Sequence, residues 1–368
     1  MFTASLVLNA VLVVQLFSWS TCAKDGLQYD VAATGEVNRD VIVKDEAIMN
    51  KEIDVAATGE VNRDVIVKDE AIMNKDMLLI EDEALVMCGD LCVVEGGTFS
   101  SGPYFKHRTV DNVKCPSLFD DVVWPAVGHG LKHSPQDMPP HMEPMYTLNG
   151  AIPIKEWYFD QTYFGKKAMV ANWPKSLIEE QIGQARQGVL KGTYKVSETN
   201  ALREGLQHAP GIKNGRVLVI GSEQPWVESC VLEAGAAHVV TLEYGSIESG
   251  HPQLTTMIPS EFKAAFRDGS LGLFDAVVTF SSIEHSGLGR YGDRLNPWGD
   301  VLTIAQAWCV CKSGGSLTLG TMTGNDMLFW NAHRSYGPAR WPYLTTNWKQ
   351  HYKGRGSQTV HVFLKSLY

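Results

Sequence analysis

The chain has 368 residues, 44% hydrophobic and 20% charged, an ordinary globular composition with length for one large domain or two small ones. Its net charge of −9 lies within the first 83 residues, so the body from Ala84 onward is neutral. A neutral body argues against nucleic acid as the main partner, because phosphate binding needs a basic surface.

The N-terminus, MFTASLVLNAVLVVQLFSWSTCAKDG, is an apolar run followed by Thr21-Cys22-Ala23, with small residues at the −3 and −1 positions of a cut after Ala23. Residues 1–23 read as a secretory signal peptide. An uncleaved membrane anchor is the alternative, near the lower length limit for crossing a bilayer, and a buried N-terminal helix is the third reading. The expected location is the secretory pathway, either secreted or in the ER or Golgi lumen, or else anchored by a single pass. Loss of Cys22 leaves Cys88, Cys92, Cys115, Cys230, Cys309 and Cys311. An even number permits disulfides, and the first three are the more exposed candidates. No N-x-[ST] sequon supports secretion independently.

Residues 24–83 form an acidic spacer in which DVAATGEVNRDVIVKDEAIMNK occurs at 30–51 and again, letter for letter, at 54–75. Two polar copies fall short of the three or so units that a solenoid needs to bury a core, so the spacer is expected to pack poorly. Segments of this kind also fold on contact with partners. Residues 84–150 are rich in Pro, Gly and His and read as loops and short strands. His129, His133 and His141 lack converging geometry and a Cys partner at zinc spacing, so no metal site is expected.

Two helices open the 151–368 domain: Ser176-Leu177-Ile178-Glu179 has capping-box form, and Ser197 opens SETNALREGLQHAP, stopped by Pro210. From about residue 212 strand and helix alternate, predicting a doubly wound, mostly parallel α/β sheet. RVLVI (216–220) suits a buried strand, and Val227, Cys230, Val231 and Ala234 fall on one helical face between Pro225 and Gly235. HVVTLEY and FDAVVTF (274–280) are further strands. A helix with Val301, Ile304, Ala305 and Trp308 on one face is expected to stop at Gly314-Gly315 before the strand SLTLGTM. TVHVFLK alternates like a terminal strand with one exposed face.

In such sheets ligands bind at the carboxyl ends of strands, where the order reverses. Gly221 lets the backbone pass close to a ligand, and Glu243 ends the second strand where a carboxylate can accept both ribose hydroxyls. The missing G-x-G-x-x-G disfavours NAD. Ser281, Ser282, Glu284 and His285 follow the FDAVVTF strand, at the mouth where a substrate would meet a cofactor. His285 is the first candidate general base and Asp293 the second. GLGRYGDRLNPWGD (287–300) offers Arg290, Tyr291 and Trp298 for substrate, and NAHRSYGPARWPYLTTNW (331–348) offers Arg340; aromatic faces and Arg forks suit a sugar or an acidic small molecule. Cys309 and Cys311 read as buried free thiols. A G-x-S-x-G elbow and a P-loop are both absent from the sequence.

The order of VLVIGSEQPWVE, LEAGAAHVVTLEY, FDAVVTFSSIEHSGLGRYGD and CKSGGSLTLGT resembles class I S-adenosylmethionine-dependent methyltransferases. More closely, the stretch from about Gly150, including SIEHSGLGRYGD and YGPARWP, resembles domain of unknown function 268, first described from Caenorhabditis. The resemblance implies a Rossmann-like methyltransferase core with S-adenosylmethionine held at Gly221, Ser222, Glu243, Ser281, Ser282 and Glu284, and a small-molecule or glycan acceptor. The turn departs from the family's G-x-G-x-G: the Ser222 hydroxyl is expected to replace a glycine amide contact, Glu223 brings a carboxylate near that of the cofactor, Trp226 adds bulk, and only Glu261 offers an acid near strand three. A non-catalytic binding protein on a degenerate methyltransferase scaffold is therefore the rival reading. A sugar-nucleotide transferase is weaker, for want of a metal-binding acid pair.

Overall fold

A computed structural model describes residues 93–95, 104–106, 114–120, 133–162 and 170–365. The expectations for the signal segment, the duplicated spacer, Cys88, Cys92 and His129 lie outside them. β1 (Val93–Glu95) and β2 (Tyr104–Lys106) pair antiparallel. Next come the short helix α1 (Glu143–Thr147) and strands β3 (Ile154–Glu156) and β4 (Ala171–Trp173). Helices α2 (Lys175–Arg186) and α3 (Val196–Gln207) follow. The two lead-in helices thus exist, but α2 is capped by Pro174 and α3 by Lys195, which places Ser176 and Ser197 inside the first turns instead of at the caps.

The core runs β5 (Arg216–Ile220), α4 (Trp226–Glu233), β6 (His238–Leu242), β7 (Ile247–Ser249), β8 (Leu254–Met257), α5 (Pro259–Arg267), β9 (Phe274–Phe280), α6 (Gly299–Val310) and β10 (Cys311–Thr321). It ends with β11 (Met327–Trp330), β12 (His333–Ser335), α7 (Trp341–Leu344), β13 (Trp348–Lys353) and β14 (Thr359–Lys365). Seven strands form one sheet in the order β8-β6-β5-β9-β10-β14-β13. β8, β6, β5, β9 and β10 are mutually parallel, and β14 runs antiparallel to both β10 and β13. The chain starts at β5, moves outward to β8, and returns to β9 on the other side of β5. Between β5 and β9 the order therefore reverses, and a crevice opens above their carboxyl ends. The sheet is thus doubly wound and mostly parallel, of Rossmann-like methyltransferase type.

Helices cover both faces, which is why β5 reads as an unbroken apolar run. Leu218 and Ile220 pack with Phe262, Phe274, Ile304 and Trp308 on one face. Val217 and Val219 pack with Ile178, Leu202, Val227 and Val231 on the other. Burying each such side chain contributes about 1.5–3 kcal/mol, so the alternation gives both helical layers a reason to dock.

Three expectations need correction. TVHVFLK is β14, buried on both faces because β13 lies outside it as the edge strand. Gly314-Gly315 do not end the preceding helix. They lie inside β10, in a register shift between Cys311 and Ser316, where a Cβ on Gly315 would meet the Asp275 carbonyl oxygen at 2.6 Å. Cys309 is not a free thiol but pairs with Cys115 across 194 residues, Cα atoms 5.6 Å apart. That bond fastens the one-turn helix Cys115–Phe119 onto α6, and Phe119 stacks on Phe266 of α5. Cys230 and Cys311 are free and buried. Among the described residues no helix is long and apolar enough to cross a membrane.

Candidate functional site

The crevice above β5, β6 and β9 opens into a cleft of about 840 Å³. Three loop beginnings build its floor, each one step beyond a strand end. After β5 comes Gly221, held by its N–H donating to Leu242 O at 2.9 Å. Its φ is +74°, and a Cβ there would lie 1.7 Å from Ser282 Oγ. Glycine is thus demanded by the neighbouring loop as much as by any ligand. After β9 comes Ser281, itself at φ +49° and joined to β10 through Gly320 O at 2.8 Å.

After β6 comes Glu243, whose Oε2 accepts Ser222 N–H at 2.6 Å and whose Oε1 accepts Tyr244 N–H at 2.6 Å. Burial raises its pKa, with backbone donors at Ser222 and Tyr244 acting against the rise and Glu223 adding to it. Each carboxylate oxygen retains a lone pair beyond its backbone bond, so the side chain that pins the turn can still accept from a diol.

Ser222 differs from its expected role. Its hydroxyl faces inward, 2.8 Å from Gln224 O and 2.9 Å from Glu228 Oε2, so it does not replace a glycine contact toward the cleft. Glu228, which sequence reasoning missed, is fully buried on α4, and its Oε1 lies 2.8 Å from the Thr241 hydroxyl. Burial pushes its pKa up to about 7, against the lowering by those hydroxyls.

His285 and Asp293 both border the cleft. His285 Nδ1 donates to Ala332 O at 2.6 Å, leaving Nε2 as the acceptor nitrogen. Burial, and then the adjacent Arg290 guanidinium, depress its pKa to about 3. It is neutral at physiological pH and a weak base. Asp293 accepts backbone N–H groups from Gly287 at 2.7 Å, Gly289 at 3.3 Å and Tyr291 at 3.3 Å. Its carboxylate therefore shapes the loop instead of facing a substrate proton, although burial still holds its pKa above the usual range.

Arg290 and Tyr291 reach the cleft, but Arg290 is already engaged: Nε donates to Gln161 at 2.6 Å, Nη1 to Ala332 O at 3.0 Å, and the guanidinium sits 4.4 Å over the Phe159 ring. Trp298 and Arg340 do not line the cleft. Trp298 is fully buried as the cap of α6, with Arg340 5.4 Å over its ring. Arg340 is 1% exposed and makes a two-pronged pair with Asp300, Nη2 to Oδ1 at 2.6 Å and Nε to Oδ2 at 2.8 Å. Burial alone would raise Asp300, but Arg334 and Arg340 hold it below the usual carboxylate range. This cluster anchors the C-terminal loops to α6, which is why an Arg and a Trp expected to touch substrate are structural. Glu261 likewise caps α5, accepting Ile258 N–H at 3.1 Å.

Two walls were not foreseen. One is the three-stranded sheet β12-β11-β3, which brings Phe329 and His333 to the cleft, with Trp157 and Phe159 from the chain after β3. Trp157 stands edge-on to both Phe329 and His333. The other is Tyr194, from the α2–α3 connection, whose hydroxyl donates to Ser281 Oγ at 2.5 Å. The aromatic run EWYF at 156–159 was the available signal for the first. For Tyr194 there was none.

Residues 213–367 match the family described as Caenorhabditis protein of unknown function, DUF268. The resemblance read from the sequence thus holds for the α/β core, and the match begins well after Gly150. No curated protein matches the chain. Among solved structures, a Burkholderia thailandensis 1,6-didemethyltoxoflavin-N1-methyltransferase is 13% identical, with 52% of this chain and 88% of that one covered and a TM-score of 0.32. The N-methyltransferase NodS from Bradyrhizobium japonicum is also 13% identical, covering 46% and 95%, with a TM-score of 0.30. The methyltransferase-like core rests on the strand order and its reversal beside β5.

Proposed function

We propose that this chain is an S-adenosylmethionine-dependent methyltransferase acting on a small molecule or glycan in the secretory pathway. One observation carries the reading: the Gly221 turn, Glu243 and the Ser281-Ser282 loop converge on a single cleft at the point where the strand order reverses. The donor set fits the cofactor. Glu243 would take the ribose hydroxyls on the lone pairs its backbone bonds leave free, and the backbone at Gly221 and Ser222 would flank the amino-acid end. Trp226, Tyr244 and Phe280 supply apolar walls for a base, and a cationic group gains from the same aromatic faces and from Glu223. When bound, the cofactor supplies a methyl group on a positively charged sulfur. The chain's own residues hold the acceptor in line and exclude water. The cleft volume lies within the range of small-molecule sites.

The Cys115–Cys309 disulfide supports an oxidising compartment, because such bonds persist there and are rare in the cytosol. A lumenal enzyme would draw on cofactor imported from the cytosol. The rival reading, a binding protein without catalysis, is favoured by the inward Ser222 hydroxyl and by Ser282 filling the space beside Gly221. Calorimetric titration of the purified chain with S-adenosylmethionine separates the two: saturable micromolar binding supports the enzyme, and a folded sample that ignores millimolar cofactor removes it.

A further inference from the structure

Glu284 is fully buried on the one-turn helix Ile283–His285 where it borders the cleft, and neither of its carboxylate oxygens has a hydrogen-bond partner. Gln358, 7% exposed, borders the same cleft, and its Oε1 is likewise buried without a partner. Buried polar groups are almost always hydrogen-bonded, so two exceptions on one cleft point to a ligand that supplies what they lack. All three atoms are oxygens, and what they lack is a donor.

Both side chains stand on fixed backbone. Arg334 donates to Glu284 O at 3.4 Å and to Ser286 O at 2.7 Å, clamping the one-turn helix. Gln358 N–H donates to Glu198 Oε2 of α3 at 3.1 Å, and its Nε2 donates to Ser281 Oγ at 3.1 Å, which leaves the amide oxygen as the spare atom.

Charge on the cleft wall decides which kind of donor fits. Glu223, Glu243, Glu284 and Asp293 stand against Arg290 alone. The Arg290 guanidinium is engaged by Gln161, Ala332 O and the Phe159 ring. Burial depresses His285 to about 3 and His333 to about 4, so both imidazoles are neutral at physiological pH. Such a wall attracts a cation and repels the acidic small molecule that the arginines of the sequence suggested. Beside Glu284 the cleft turns aromatic. The His285 ring lies 6.2 Å from that of His333, and Trp157, 50% exposed, meets Phe329 at 74° and His333 at 72°. These rings make a corner that suits an apolar body and favours a positive charge close by.

We propose that Glu284 and Gln358 form the ammonium-binding site for the acceptor, an amine-bearing small molecule whose carbon body rests on Trp157, Phe329 and His333. The inference rests on the methyl-transfer reading and names its substrate class. An ammonium has three N–H donors and no acceptor, matching a site that offers acceptors alone. Ionised Glu284 beside it makes a charge-assisted pair withdrawn from water. Burial raises Glu284 to about 7 in the free protein, and an adjacent cation favours its charged form. A hydroxyl would satisfy one oxygen and leave the carboxylate charge unanswered.

Three molecules of one shape test the site in the full chain: 2-phenylethylamine, 2-phenylethanol and phenylacetate, titrated by ligand-observed NMR with and without S-adenosylhomocysteine. Wild type is expected to bind the amine at about 1 mM or tighter, at least about tenfold better than the alcohol, and to reject the acid. Glu284→Gln is expected to erase the preference for amine over alcohol, and Trp157→Ala to weaken both alike. Equal binding of amine and alcohol by wild type, a preference that survives Glu284→Gln, or no amine binding at about 10 mM overturns the ammonium site. Affinities indifferent to Trp157→Ala overturn the aromatic seat. Should Glu284→Gln fail to fold, a crystal structure of wild type with 2-phenylethylamine decides: the nitrogen is expected about 2.7–3.2 Å from a Glu284 oxygen, and any other seat refutes the site.

Titration with S-adenosylhomocysteine on the same proteins keeps cofactor and acceptor apart, since that molecule carries an ammonium of its own. Glu284→Gln is expected to bind it within about threefold of wild type. A loss of about tenfold or more would assign Glu284 to the cofactor and overturn the acceptor site. A wild type that binds no S-adenosylhomocysteine yet prefers the amine refutes methyl transfer and leaves the ammonium site standing.

Discussion

Replacing Glu228 by Gln is expected to make the fold more stable in mildly alkaline solution while leaving it unchanged in acid. In the structure the Ser222 hydroxyl has one proton and two neighbours, Gln224 O at 2.8 Å and Glu228 Oε2 at 2.9 Å. Both contacts are satisfied together if Glu228 is protonated and donates to Ser222 Oγ while Ser222 donates to Gln224. A glutamine reproduces that pattern: its amide donates to Ser222, and its carbonyl accepts from Thr241. The folded pKa is raised from 4.5 to about 7. Below 4.5 both states hold the proton. Between 4.5 and 7 the unfolded chain releases it and the folded chain does not, so stability falls as pH rises and levels off above 7. A shift of that size corresponds to about 3 kcal/mol lost by pH 8.

His285, His333 and His361 act in the opposite sense, because burial depresses each of them to about 3 or 4 and destabilises the fold as pH falls below 6.5. The difference between wild type and variant therefore isolates Glu228, where either curve alone would not. Urea unfolding followed by circular dichroism from pH 4.5 to 8.5 is the assay. The two proteins should coincide at pH 4.5 and separate to about 3 kcal/mol in favour of the variant at pH 8. Parallel curves would refute the assignment of a neutral, buried Glu228 beneath the turn.

Gly221→Ala should cost about 2–4 kcal/mol from positive-φ strain and the clash with Ser282, and Ser282→Gly should recover the packing part, measured as a double-mutant cycle. Asp300→Asn leaves Arg340 and Arg334 buried without their counter-charge and should lose about 3–5 kcal/mol in chemical denaturation. Arg340→Lys should weaken the fold without changing affinity for S-adenosylmethionine, which separates an anchor from a ligand contact. Cys115→Ala opens a loop spanning 194 residues and should lower stability by up to about 5 kcal/mol on chain-entropy grounds, read as a lower urea midpoint.

The parallel core was legible because β5, β6 and β9 are short apolar runs separated by helical periodicity, and because acid and glycine stand at strand ends. β13 escaped notice because WKQHYK faces solvent through most of its length and carries no apolar alternation. That miss moved the edge of the sheet and turned β14 into an interior strand. Gly221, Glu243, Ser281 and Ser282 come together because each lies one or two residues past a strand whose end was visible in the sequence. Arg340 and Trp298 were misplaced because composition does not distinguish an Arg that meets a ligand from one that meets Asp300 inside the protein. Tyr194 and Glu228 were not visible at all, since each acquires its role from a partner far away in sequence or on the concealed side of a helix.

The most direct test of the central claim is the affinity of the purified chain for S-adenosylhomocysteine before and after Glu243→Gln. The glutamine carbonyl can still accept one of the two backbone N–H groups that Glu243 now takes, so the turn keeps an anchor. Micromolar binding by wild type, weakened at least about tenfold in the variant, corresponds to about 1.4 kcal/mol lost at the ribose and is the predicted result. Equal affinity in two folded proteins would contradict it, because the cofactor would then not be held at the end of β6.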